Sequence, residues 1–237
     1  MNEEEVKLLR LETGLLWPHY KDKKALSAST LTKFLREEEF REIPKYILLA
    51  AAERGKVFHK TVQDFIRTGK HPPFVDLAVV DKLSKLEQKI HETVNFLKKN
   101  DSLELNGFLG IEKLHYAFYK GELLATYLDL EFQDCIIELK TSNIKANKSP
   151  LALLIFEIQL LIQYLCTGKK KNIYLLWSTG QGVILNRFQV SDYSLKILDV
   201  LIEFARNNDS YSPAIKKAII LEILNKYYSP KKLIILN

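Results

Sequence analysis

The segment from 121 to 142, GELLATYLDLEFQDCIIELKTS, carries two carboxylates and an ammonium at spacings suited to phosphodiester chemistry. Asp129 lies near the end of one alternating apolar run, and Glu138 and Lys140 lie two residues apart in the next. Residues i and i+2 of a strand project from the same face, so Glu138 and Lys140 are predicted to point the same way. A hairpin that pairs the two runs would place Asp129 beside Glu138.

The chemistry of these three side chains is that of a divalent-metal site. Two carboxylates offer the hard oxygen ligands that Mg²⁺ or Mn²⁺ requires, and the lysine can orient a water molecule or balance charge on a phosphate. The alternative is a solvated strand face, because short motifs of common charged residues often occur by chance. The triplet alone leaves both interpretations open.

A second candidate group lies upstream, in the segment from 44 to 68. This segment begins with proline, has an alanine-rich middle and apolar residues at helical spacing, and is followed by Gly69, so a helix is predicted. His59 follows Gly55 by four residues, which places the glycine one turn away on the same face and would let another backbone or a ligand come close. A neutral imidazole there is either a third metal ligand or a packed residue at the edge of the core.

A third candidate group lies in the apolar segment from 151 to 166, which is predicted to be a buried helix beside the sheet. Gln159 is a polar residue within it and needs hydrogen-bond partners if buried. Tyr164 follows Gln159 by five residues and therefore lies off its line on the helix, whereas Gln163 follows by four and lies on it.

Taken in order, these features resemble the PD-(D/E)xK nucleases, and within them the RecB-type exonuclease domains, relatives of the CRISPR adaptation nucleases and the mitochondrial genome maintenance exonuclease. The resemblance covers roughly 26 to 190. The matching positions are 26–35 for the opening helix start, Gly55 and His59, Asp129, Glu138 to Ser142, and the imperfect pair Gln159 and Tyr164. The family's glycine before the aspartate is missing, since Ala125 and Thr126 stand there.

The resemblance implies an α/β (α+β) fold with a restriction-endonuclease-like core, in which helices flank a mixed central sheet. It implies catalysis by Asp129, Glu138 and Lys140, with Mg²⁺ or Mn²⁺ as cofactor. Lys140 would position the attacking water and help to deprotonate it, its pKa lowered by the nearby cation. The expected metal ligands are His59, Asp129, Glu138 and the Leu139 carbonyl. The expected DNA contacts are Gln159, Tyr164, Ser142, Lys169, Lys170 and Lys171, the three lysines being equally compatible with a solubilising loop.

The expected activity is that of a metal-dependent DNA exonuclease on single-stranded or end-frayed DNA in replication, recombination or repair. Two alternatives stay open. One is a structure- or sequence-specific endonuclease of the same fold. The other is a nuclease-fold subunit that binds DNA or a protein without cutting, which the missing glycine and the shifted Gln/Tyr pair keep in consideration.

Composition sets the remaining bounds. The chain has 237 residues, 47% of them hydrophobic, and a net charge of +6, which suits a polyanionic partner such as DNA. Two cysteines, Cys135 and Cys166, are predicted to be buried thiols and are too few to hold an iron–sulfur cluster. The acidic start and the lack of a long apolar run predict a cytoplasmic, nucleoid-associated protein with no membrane contact.

A single nuclease domain over 1–237 is expected, with a mostly helical part at 1–100, a catalytic sheet and helix core at 101–190, and C-terminal helices at 191–237. A short helix is expected within 1–24, and an amphipathic helix over 75–99. The predicted strands lie near 103–118, 122–132, 135–142, 173–177 and 183–190.

Overall fold

The computed structural model describes residues 5–70, 84–99, 107–142, 150–179, 182–207, 211–227 and 235–236. Within these residues the strands are β1 (Lys7–Arg10), β2 (Leu16–Tyr20), β3 (Lys23–Lys24), β4 (Phe108–Tyr119), β5 (Glu122–Phe132), β6 (Cys135–Thr141), β7 (Asn172–Thr179), β8 (Gly182–Arg187) and β9 (Ile235–Leu236). The helices are α1 (Ala28–Leu31), α2 (Lys33–Glu39), α3 (Lys45–Thr68), α4 (Lys85–Lys99), α5 (Pro150–Cys166), α6 (Asp192–Asn207) and α7 (Pro213–Tyr227).

The central sheet has the strand order β4-β5-β6-β7-β8-β9. Neighbouring strands are antiparallel except β6 and β7, which run parallel with α5 between them in sequence. A parallel pair needs such a crossover, whereas the antiparallel pairs need only turns. The β4–β5 turn is formed by Lys120 and Gly121, both with positive φ, as a two-residue hairpin favours. The sheet is therefore mixed, as predicted.

The two faces of β6 pack against different helices. Ile137 and Leu139 belong to a buried cluster with α3 and α4, whereas Ile136 packs with Leu160 of α5 on the other side. A further buried cluster packs α5 against α1, α2, α6 and α7. Because side chains alternate along a strand, Glu138 projects toward α5 with Ile136. The predicted alternation of this strand is confirmed.

The expected helix within 1–24 is wrong for the described residues, which form a three-stranded antiparallel sheet. The chain reverses between Leu11 and Leu15, where Gly14 has a φ of 81°. Trp17 on β2 is then buried against Leu123 and Ala125 of β5. Burial of this aromatic side chain, a long-range contact, outweighs local helix preference.

The predicted fold class, a mixed central sheet flanked by helices, is confirmed. The sequence predicts an amphipathic helix over 75–99. Helix α4 covers Lys85–Lys99 of this range, and 75–83 lie outside the described residues. Both cysteines are buried and free, and burial raises the pKa of Cys166 to about 12. Over the described ranges, every helix is too short or too polar to cross a membrane.

Candidate active site

Asp129 lies where the central sheet opens between β5 and β6. The ladder joining these strands ends at Leu130 opposite Ile137, so the next positions in register are Asp129 and Glu138. There the Asp129 carboxylate replaces a backbone acceptor, because its Oδ2 accepts a hydrogen bond from the Leu139 amide at 2.8 Å. The structure thus brings the two carboxylates onto adjacent strands at the point where those strands separate.

The sheet is also interrupted on the β4 side of Asp129. Glu112, the residue that would lie opposite Asp129, is left out of the ladder and has a φ of 49°. Gln63 of α3 occupies this place: its Nε2 donates to Glu112 Oε1 at 2.9 Å and to the Asp129 carbonyl at 3.3 Å. Unusual backbone of this kind is kept only where surrounding contacts hold it, and it clusters at functional sites.

His59 reaches Asp129 from α3. Its Nδ1 lies 3.3 Å from Asp129 Oδ1. The neighbouring Phe58 is fully buried in the core between the sheet and the helices α3 and α4, which fixes the rotation of α3 about its axis. His59 and Gln63, one helical turn apart, therefore both face Asp129.

Glu138 is held from the opposite side by α5. Its side chain is 2% exposed, and its Oε1 accepts from Gln159 Nε2 at 2.5 Å and from the Lys140 ammonium. Its Oε2 accepts from Gln163 Nε2, also at 2.5 Å. The two glutamines lie one turn apart on α5, so one face of this helix donates hydrogen bonds to both oxygens of the Glu138 carboxylate.

Burial and mutual charge perturb all four ionisable groups. Burial raises the pKa of Glu138, and the charge of Asp129 raises it further. Burial acts to raise the pKa of Asp129 as well, but the hydrogen bond and charge of His59 hold it below its usual range. Burial acts to lower the pKa of His59 and of Lys140, yet the neighbouring carboxylates raise both. The neighbouring carboxylates therefore raise the pKa of Lys140. The lowering expected from the sequence would require a cation bound beside this lysine.

The donor set suits Mg²⁺ or Mn²⁺ in its chemistry, since it combines two carboxylates with an imidazole. Among the residues that the structure describes, however, no three His, Cys, Asp or Glu side chains already form a metal-holding group. The Glu138 oxygens accept hydrogen bonds from the side-chain amides of Gln159 and Gln163 on α5, so they face these amides. Burial raises the pKa of Glu138 most, and the charge of Asp129 raises it further; a divalent cation would relieve the repulsion between the two carboxylates.

The remaining predicted residues near this site have mostly structural surroundings. The side chain of Leu139 is buried between the sheet and the helices α3 and α4. Ser142 donates its amide to the Ser178 carbonyl at 3.0 Å. Tyr164 packs against the apolar clusters around α5. Gln163, which lies on the same helix face as Gln159, contacts Glu138 in its place.

The lysine cluster 169–171 lies at the other end of the strands. The β6–β7 register places Lys140 opposite Trp177, five residues beyond Asn172, so about 17 Å of strand separates the cluster from Lys140. The Lys171 ammonium is 2.7 Å from Glu131 Oε1 and 2.7 Å from the Phe132 carbonyl. The structure does not bring these lysines to the site.

A cleft of about 540 Å³ opens beside Lys140. Residues of β2, β3, β5, β6, α1, α2 and α5 line it, so the N-terminal sheet forms one side. Cationic and aromatic side chains share the lining, and they include Lys24, Arg36, Lys140, Trp17, Tyr127 and Phe156. Cations beside aromatic rings are the combination that binds single-stranded nucleic acid.

Sequence reasoning missed Gln63 and Glu112. A signal for Gln63 was present, because it follows His59 by four residues and must share its helix face. Glu112 had no such signal, since its position depends on an irregularity in the β4–β5 ladder that its own sequence does not specify.

No known protein family and no curated protein matches the sequence. The solved structures with some similarity to this chain include the following two. The crystal structure of SSO0001 has a TM-score of 0.42 and 17% sequence identity, covering 91% of this chain and 90% of that one. A protein from Eubacterium rectale named "Putative exonuclease" has a TM-score of 0.43 and 12% identity, covering 86% and 83% respectively. Similarity at this level does not identify a family or an activity for this chain.

Proposed function

We propose that the protein is a metal-dependent DNA nuclease of the PD-(D/E)xK type that hydrolyses phosphodiester bonds from strand ends. The observation that supports this most is the set of groups gathered where β5 and β6 separate. Asp129 and Glu138 are both buried there, His59 lies against the first and Lys140 against the second. Burying two carboxylates side by side costs free energy, so their retention favours a role in binding a cation.

A divalent cation bound by Asp129 and Glu138, with His59 as a nitrogen ligand, would neutralise phosphoryl charge and lower the pKa of a water molecule. Lys140 projects from the same face as Glu138 and lines the cleft, so its ammonium would orient that water toward the phosphorus. Gln159 and Gln163 would keep Glu138 in position while Lys140 moves between carboxylate and substrate.

The cleft beside Lys140 would carry the strand. Its size and its aromatic lining suit one or two nucleotides of a single strand rather than a duplex. Lys24 and Arg36 of its lining would contact the phosphates, so binding would weaken steeply as salt concentration rises.

The decisive experiment is incubation of the purified protein with end-labelled linear and circular DNA, single- and double-stranded, in Mg²⁺, Mn²⁺ or EDTA. We expect metal-dependent shortening of linear single strands. Lys140→Ala should abolish cleavage while leaving DNA affinity nearly unchanged, because the ammonium acts in the chemical step. Lys170→Ala, which removes an exposed lysine at the far end of the strands, is the matched control and should cleave normally. Near-normal turnover of Lys140→Ala would remove the lysine from the mechanism.

Two alternatives are separated by the same experiment. Cleavage of circular DNA would indicate an endonuclease, since an exonuclease needs an end. A non-cleaving DNA-binding subunit is favoured by one observation, that both oxygens of Glu138 are already engaged by α5 and Lys140. Binding of single-stranded DNA without cleavage in either metal would support that subunit.

A further inference from the structure

A second, smaller pocket lies where β6 ends, between α3 and α4. Its volume is about 90 Å³, which is enough room for a phosphate group. The residues that matter in its lining are Ala51, Arg54, Lys85, Lys89, Thr141 and Ser142. Three of them are cations, and the described lining contains no carboxylate.

Lys89 and Arg54 lie close enough to interact, and Lys85 lines the same pocket. Lys89 is 7% exposed, and its ammonium donates to the Ser142 carbonyl. Burial lowers the pKa of Lys89, and the charge of Arg54 lowers it further, against a weaker opposing effect of Glu92. Arg54 and Lys85 are exposed and form no ion pair with any other described residue. The pocket is therefore a concentration of positive charge that an anion would stabilise.

The pocket is connected to the candidate active site along α3. Ala51, Gly55 and His59 follow one another at intervals of four residues and so lie on one helix face. A Cβ atom at Gly55 would meet no described atom within 4 Å, so this face of α3 is open at the position midway between Ala51 and His59. Ser142 lies two strand residues beyond Lys140, a separation of about 7 Å. A nucleotide could span this distance.

We propose that this pocket binds the terminal phosphate monoester of the nucleic-acid strand whose scissile bond lies at Lys140. The inference rests on the proposed function, which it extends from cleavage to recognition of the strand end. A phosphate monoester carries about −1.5 to −2 charges at neutral pH, whereas an internal diester carries one, so three cations match the monoester better.

The test is a binding measurement in EDTA, so that no cleavage occurs. Internally labelled single-stranded oligonucleotides of one sequence carry a 5′-phosphate, a 3′-phosphate or hydroxyls at both ends, and fluorescence anisotropy gives each Kd. We expect wild type to bind one phosphorylated oligonucleotide about tenfold more tightly than the hydroxyl form, since a charge-assisted contact is worth at least that factor. Which end is preferred identifies the source of the phosphate.

The double variant Arg54→Gln with Lys85→Gln should lose this preference. The matched control is Arg67→Gln with Lys99→Gln, which makes the same charge change at the C-terminal ends of α3 and α4 and should retain the preference. Equal binding of all three oligonucleotides by wild type, or a preference that survives in the double variant, would overturn the proposal. Failure of cleavage in metal would contradict the proposed function while leaving this binding result intact, so the two failures are distinguishable.

Discussion

Glu131→Gln is the substitution whose effect on stability the structure predicts most sharply. Glu131 lies on β5, two residues beyond Asp129, and is 3% exposed. Its Oε1 is 2.7 Å from the Lys171 ammonium, and its Oε2 is 3.1 Å from His115 Nε2 and 3.2 Å from the Lys113 ammonium. The buried Glu131 carboxylate on β5 therefore contacts cationic or donor side chains of β4 and of the residue directly before β7.

The magnitude follows from the pKa of this carboxyl group. Burial acts to raise it, but the hydrogen bonds from Lys171 and His115 outweigh burial and bring the pKa of Glu131 from 4.5 down to about 2. Each pKa unit is worth about 1.4 kcal/mol, and solvent screens the half-exposed Lys113, so about 2–3 kcal/mol of stability is expected. Because the folded-state pKa is depressed, this stability is present above pH 4.5 and is lost as the pH falls toward 2.

The assay is urea unfolding of wild type and Glu131→Gln, followed by tryptophan fluorescence from pH 7 down to pH 3. The difference in the free energy of unfolding should be about 2–3 kcal/mol at pH 7 and should shrink steadily below pH 4.5. Glu37→Gln is the matched control: its carboxylate lies 3.9 Å from Lys33 on an exposed surface and should contribute less than about 1 kcal/mol. A difference for Glu131→Gln that does not change with pH would refute this reasoning.

Two predictions concern the metal. Asp129→Asn and Glu138→Gln should each weaken Mn²⁺ binding in calorimetric titration, and Asp129→Asn should lower the thermal midpoint of the metal-free protein more than Glu138→Gln does, because the pKa of Asp129 is lowered in the folded protein whereas burial and the charge of Asp129 raise that of Glu138; unchanged Mn²⁺ affinity in both would exclude these carboxylates as ligands. His59→Ala should cost more activity in Mn²⁺ than in Mg²⁺, since imidazole suits the softer ion, with His91→Ala as control; equal losses in the two ions would instead indicate a packing or DNA-contacting histidine.

Much of the fold could be predicted from local patterns. The helix α3 begins after Pro44 and ends at Gly69, whose φ of 67° is the left-handed conformation expected of a C-terminal glycine. The ranges of β5 and β6 agree with the predicted 122–132 and 135–142 to within one residue. The N-terminal sheet was not predictable in this way, because β2 is held in place by burial of Trp17 against residues more than a hundred positions away.

The sequence by itself determined which side chains share a face: Glu138 with Lys140 on a strand, His59 with Gly55 on a helix, and Gln159 with Gln163 on another. These relations depend only on the repeat of a helix or a strand, which is local. The tertiary structure decided which faces meet, and so it placed Gln63 and Glu112 beside Asp129 and left the lysines 169–171 at the far end of the sheet. Such meetings depend on strand register and helix rotation, which are set by long-range packing of the whole core.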